Sequence, residues 1–167
     1  MKKVKLKLIL TLVVSMTSSL FSQDSVTTVT QNNEDQQKKV SILIARQETG
    51  FKMAVAKKAK ELLTGTDMIV KIIDIKKLKN QSIDLFDAVV IINEVRAWHL
   101  NRHTKAFVRN LTSEQKNKVI MISTAKVTDW KTREKDIDAV TVASETSTVN
   151  TLAGRIKTKI DALLNKQ

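Results

Sequence analysis

Residues 40–63 read V-S-I-L-I-A-R-Q-E-T-G-F-K-M-A-V-A-K-K-A-K-E-L-L. An apolar, β-branched run ends at Ala45, and a helical period begins by Phe51. Between them lies a polar turn, Arg46-Gln47-Glu48-Thr49-Gly50, holding one of only three glycines in the chain. A strand that feeds a helix through a tight glycine turn opens a βα unit. The free N–H groups at such a helix start favour an anion, so this turn is the first candidate site.

Downstream, helix one carries Phe51, Val55, Ala59, Leu62 and Leu63 on one stripe, with Gly65 as its C-terminal glycine. Strand two spans Met68 to Ile75, and its Lys71 and Asp74 suit a sheet edge. The basic segment Lys76 to Asn80 leads to strand three, Phe86 to Asn93. This is the longest aliphatic run after the N-terminal segment and is expected at the sheet centre. After a loop from Glu94 to Arg102 comes a helix from about Thr104 to Leu111, burying Phe107 and Leu111. Strand four is Lys118 to Thr124, and Ala125 to Asp136 form a polar loop containing Trp130. Strand five is Ile137 to Ala143. Ser144 caps a last helix whose stripe is Val149, Leu152, Ala153, Ile156, Ile160, Leu163 and Leu164. Strands alternating with helical patterns predict a doubly wound parallel α/β sheet.

Upstream, Lys2, Lys3, Lys5 and Lys7 precede an apolar run, Leu8 to Val14, and then small polar residues up to Ser22. That is the layout of a secretory signal peptide over residues 1–22, so the chain is expected to be exported, periplasmic or secreted. The apolar run is too short for a bilayer span, so no integral membrane protein is expected after cleavage. Residues 23–38 are polar and read as a flexible linker, leaving 39–167 as the folded domain. Removing residues 1–22 takes away four lysines and no acid, lowering the formal charge from +12 to +8. This basic balance suits an anionic partner such as an envelope surface, or a solvated lysine-rich exterior. No nucleic-acid motif is present. The absence of Cys excludes disulfides, thiolate chemistry and Fe–S clusters.

Three landmarks resemble the flavodoxin-like family: the first strand with Thr49-Gly50 heading helix one, L-F-D-A-V-V-I-I over residues 85–92, and K-V-I-M-I-S-T over 118–124. The resemblance covers roughly residues 39 to 165. It implies a five-stranded sheet of order 2-1-3-4-5 in a three-layer α/β/α fold, with flavin mononucleotide (FMN) at the carboxyl ends of the strands. The family's phosphate loop, roughly T-x-T-G-x-T, falls on Gln47 to Lys52, where Thr49 and Gly50 match. Gln47 and Lys52 stand in place of hydroxyl residues. The implied cofactor site comprises Arg46, Gln47, Glu48, Thr49, Gly50, Phe51 and Lys52 for phosphate. Trp98 and Trp130 lie in the two loops that flank the ring, with Thr124 at the end of strand four.

Other chemistry is weaker. His99 and His103 are four apart, a spacing that puts two imidazoles on one helical face, and Glu94 is nearby, yet no H-E-x-x-H or comparable metal motif surrounds them, and solvent-facing side chains are the simpler reading. Residues 138–144, D-A-V-T-V-A-S, resemble the covalent flavin-attachment motif D-x-x-T-G-A-T, but Val142 replaces its glycine, and a strand ending in a helix cap accounts for the segment. No nucleophilic triad and no P-loop is present. Two functions stay open. One is an exported FMN-binding redox or electron-transfer protein with a redox partner protein. The other is a cofactor-free binding or structural module of the cell envelope. A quinone- or porphyrinogen-linked flavoenzyme of the same fold has no specific residue in its favour.

Overall fold

The computed structural model describes residues 39–64, 67–125, 130–132 and 137–166. The expected signal peptide, the linker and Gly65 lie outside the described residues. Five strands form one parallel sheet in the order β2-β1-β3-β4-β5, as the sequence predicts. They are β1 (Val40–Arg46), β2 (Met68–Asp74), β3 (Ala88–Glu94), β4 (Val119–Thr124) and β5 (Asp138–Val142). β1 pairs with both β2 and β3, so the strand order reverses beside it.

Alternation along the central strands builds two cores. Ile42, Ile44, Ala88, Val90, Ile92, Ile120 and Ile122 face helices α1 (Gly50–Leu63) and α4 (Val149–Leu164), which bury Val55, Ala59, Leu63, Leu152, Ile156 and Ile160 against them. Leu43, Ala45, Val89, Ile91 and Met121 face the other way, toward Phe107 and Val108 of α2 (Arg102–Arg109) and toward Ile75, Leu78 and Ile83. A strand covered on both faces has no polar side, which is why β3 reads as an unbroken aliphatic run. Asp87, just before β3, accepts from the Ser41 backbone N–H at 2.7 Å and pins the entry of β1.

Several boundaries differ from the sequence expectation. The crossover from β2 to β3 is made of two 3-10 turns, Ile75–Asn80 and Ile83–Leu85, the first capped by the Asp74 carboxylate. α2 begins at Arg102 rather than Thr104, because Asn101 Oδ1 accepts from the His103 N–H at 2.9 Å and starts the helix there. A single turn, α3 (Ser113–Lys116), follows it, closed by a capping box between Thr112 and Gln115. Ser144 does not cap the last helix. The chain stays non-helical through Glu145, makes a 3-10 turn at Thr146–Thr148, and only then enters α4. The Thr148 hydroxyl donates to the Glu145 carbonyl at 2.7 Å, a local bond that competes with an earlier helical start.

Candidate functional site

The carboxyl edge of the sheet gathers the ends of β1, β3 and β4, and the register there is tight. Arg46 pairs with Ile92, and Glu94 with Thr124. Beyond β1 the ladder is carried on by Gln47: its N–H donates to the Ile92 carbonyl at 3.3 Å, and its side-chain oxygen accepts from the Glu94 N–H at 2.6 Å. Gln47 therefore ties the turn to β3. Thr49 is the N-cap of α1, but its side chain makes no capping bond. Its hydroxyl instead accepts from Lys52 Nζ at 3.4 Å.

Lys52 is the buried cation of this edge. Only 3% of it is exposed, and its ammonium lies 3.5 Å from the Glu94 carboxylate. Arg96 grips the same carboxylate with two N–H groups at 3.0 and 3.2 Å. Burial pushes the Lys52 amine below its usual range, partly offset by Glu94. The Arg96 hydrogen bond holds Glu94 below the ordinary carboxylate range, opposed by burial and assisted by Lys52. Arg96 is raised in turn by its bond to Glu94. On the neighbouring side, Arg46 Nη1 is buried without a hydrogen bond, facing Glu48 at 3.6 Å and Asp74 at 4.0 Å.

The loop after β3 folds back on itself. Arg96 and His99 exchange backbone hydrogen bonds at 3.1 and 2.9 Å, while Ala97 and Trp98 between them have φ of 46° and 65°. A two-residue reversal with both φ positive is a type I′ turn, a geometry that asparagine and glycine adopt most easily. Here it carries an alanine and a tryptophan. Trp98 is 68% exposed at the tip, whereas Trp130 is buried beneath it. The Trp130 indole N–H donates to the Trp98 carbonyl at 3.3 Å, and the Trp130 carbonyl accepts from the Thr141 hydroxyl at 2.6 Å. Deeper in, the Thr124 hydroxyl donates to the Asn93 carbonyl at 3.2 Å. The fully buried Asn93 side chain donates to Ser123 at 3.0 Å and accepts from the Asn101 N–H at 3.1 Å, fixing the loop's far end.

Among the described residues, two hollows open on this edge. The larger, about 860 Å³, lies between the ends of β3, β4 and β5 and is lined by residues including Trp98, Thr124, Trp130 and Glu145. The smaller, about 380 Å³, is lined by Gln47, Glu48 and Thr49 together with Asp74, Asn101 and Arg102. Glu94 and Arg96 line both. The structure thus brings Trp98, Thr124 and Trp130 together, and separately Gln47, Glu48 and Thr49. Arg46, Gly50, Phe51 and Lys52 line neither hollow. Sequence reasoning did not place Glu94, Arg96 or Asn93 in the cofactor site. Their position at the end of the central strand, beside the order reversal, was the available signal. His99 lies in the hairpin rather than on a helix, so its spacing from His103 does not put both imidazoles on one helical face. Among the described residues no group of three or more His, Asp or Glu could hold a metal ion.

A doubly wound sheet of this order with a cleft at its carboxyl edge defines a flavodoxin-like α/β protein. The flavodoxin-domain family model matches residues 48–166, and the chain belongs to that family. The chain is similar in fold to oxidised Flavodoxin 2 from Bacillus cereus, at 14% identity and a TM-score of 0.53, covering 77% of this chain and all of that one. It is similar also to a cysteine-to-serine mutant of the flavodoxin from Pseudomonas aeruginosa (13%, TM-score 0.54, 75% and 99% covered). A third is the flavodoxin, WrbA-like protein from Agrobacterium tumefaciens (10%, TM-score 0.52, 77% and 99%). No curated protein matches the chain. Among the described residues no helix is long and apolar enough to cross a membrane.

The residues fit the two ends of FMN unequally. The 860 Å³ cleft, lined by one exposed indole and one buried one, suits a planar aromatic ring. The phosphate end fits poorly, because Thr49, Gln47 and Lys52 already serve partners within the chain.

Proposed function

We propose that this protein is an exported, flavin-binding member of the flavodoxin-domain family that transfers electrons to or from a partner protein. The observation that carries the reading is Trp98, an exposed apolar surface held in a left-handed turn and lining the same cleft as the buried Trp130. A large exposed aromatic on a strained backbone is what a stacking platform requires, and solubility does not call for it. FMN is the flavin implied by the family, and when bound it supplies the redox chemistry. The chain's own task is to stack the ring on Trp98 and to shield its inner side with Trp130. The formal charge of +8 expected after cleavage suits an acidic partner protein or an anionic envelope surface.

A second reading, a cofactor-free envelope module, is favoured by the Lys52–Glu94 pair, which fills the phosphate end with internal charge. The visible spectrum of the purified protein, with and without added FMN, separates the two. Flavin bands that stay with the protein through gel filtration support the first reading, and no retention at millimolar FMN supports the second. For export, N-terminal sequencing of the protein recovered outside the cytoplasm is expected to begin at Gln23. Retention of residues 1–22 on a cytoplasmic protein would overturn that part.

A further inference from the structure

Resting on the flavin binding proposed above, we infer that this cleft recognises the flavin ring and not the phosphate, so that riboflavin, which lacks the phosphate, binds about as tightly as FMN. The observations lie at the turn after β1. Three cations, Arg46, Lys52 and Arg96, stand against three carboxylates, Glu48, Asp74 and Glu94, each within 4.0 Å of a partner. Their formal charges cancel before any ligand arrives. Lys52 is the only charged residue almost wholly buried among the described residues, and its ammonium is committed to Thr49 and Glu94. The Gln47 side-chain oxygen is committed to the Glu94 N–H.

The two hollows support the same conclusion. Turn residues line the smaller one and the tryptophans line the larger, and Glu94 is among the two residues common to both. A phosphate tail reaching from the ring cleft toward the turn would pass a carboxylate already doubly paired. Lys52 and Arg96 already neutralise Glu94, so a phosphate, with between one and two negative charges at neutral pH, gains from these cations only by drawing them off that carboxylate. Lys76 and Arg102 on the wall of the smaller hollow are exposed, and water screens them.

The full-length protein is titrated with FMN and, separately, with riboflavin, following tryptophan fluorescence and confirming by calorimetry. Dissociation constants within about threefold of each other are expected. FMN binding more than about 30-fold tighter overturns this inference and leaves flavin binding standing. Binding of neither flavin removes the proposed function itself, and this inference with it. A second arm uses Glu94→Gln, with its fold checked by circular dichroism. Freeing Lys52 is expected to raise the ratio of FMN to riboflavin affinity about tenfold. A ratio that does not move shows that the internal pair is not what excludes the phosphate.

Discussion

Lys52, on the first turn of α1, and Glu94, the last residue of β3, meet at 3.5 Å and join the switch-point helix to the central strand. The helix start is the positive end of the macrodipole, so a buried ammonium there is doubly disfavoured, and Glu94 compensates. Lys52→Met removes the charge while keeping the stem packed, and stability is expected to change by less than about 1 kcal/mol. Glu94→Gln leaves the ammonium buried with a neutral neighbour and is expected to cost roughly 1–3 kcal/mol. Urea unfolding of both variants tests the asymmetry. Equal losses would mean that the pair acts only through packing.

The same pair sets a pH dependence. Glu94 titrates below its ordinary value of 4.5. The native chain therefore binds fewer protons than the unfolded chain just below that value. The stability Glu94 contributes is fully present above about pH 4.5 and is lost as pH falls through its lowered pKa. Lys52 is lowered from 10.5, so there the native chain also binds fewer protons, and stability rises with pH between its lowered pKa and 10.5. Denaturation midpoints of wild type and Lys52→Met across pH 4 to 10 should diverge at the alkaline end, with the gain absent from the variant.

Ala97 has φ of 46° without any side-chain contribution that glycine would forfeit beyond one methyl group. Glycine reaches that conformation at no steric cost, although it also loosens the unfolded chain. Ala97→Gly is expected to raise stability by roughly 0.5–1 kcal/mol, after that offset. Thermal unfolding reads it directly, and a lower midpoint would contradict the strain.

Asn93 shows why polar burial on a central strand is costly to disturb. Its side chain bridges Ser123 of β4 and the Asn101 N–H that opens α2. Asn93→Ala leaves those groups without their partner in a closed interior, and a loss of roughly 2–3 kcal/mol is expected. Hydrogen exchange should show the Asn101 amide losing protection before the sheet does.

The sheet order was legible because each central strand is an unbroken aliphatic run and each crossover changes the period, as between Ala45 and Phe51. The helix starts at Arg102 and Val149 were not: the first is set by a single side-chain bond, Asn101 to His103, and the second follows a 3-10 turn in which Thr148 bonds back to the Glu145 carbonyl. The polar turn was legible as a place but not as a set of partners. Gln47 looked like a lost hydroxyl until its oxygen was seen on the Glu94 N–H, a contact 47 residues away. Likewise, Lys52 looked like an added phosphate ligand, and only the fold shows it facing inward. Trp98 and Trp130 were placed in adjacent loops from sequence, yet their division into an exposed platform and a buried base follows from the I′ turn, which no asparagine or glycine announces.

That division leads to opposite effects from one substitution. Trp98 holds φ of 65° and is largely exposed, so its indole adds little to the folded core. Trp98→Gly relaxes the left-handed backbone and is expected to raise stability by roughly 0.5–1 kcal/mol. The same change removes the stacking surface and is expected to weaken flavin binding by roughly 1–3 kcal/mol, as loss of a base-stacking aromatic does. Trp130→Phe should behave differently: it keeps most of the buried ring but loses the bond to the Trp98 carbonyl, costing about 1 kcal/mol of stability. Calorimetric titration beside thermal unfolding separates these effects. A Trp98→Gly protein that is more stable and binds flavin more weakly would show that strain at this turn is kept for the ligand. One that binds flavin unchanged would move the ring away from Trp98 altogether.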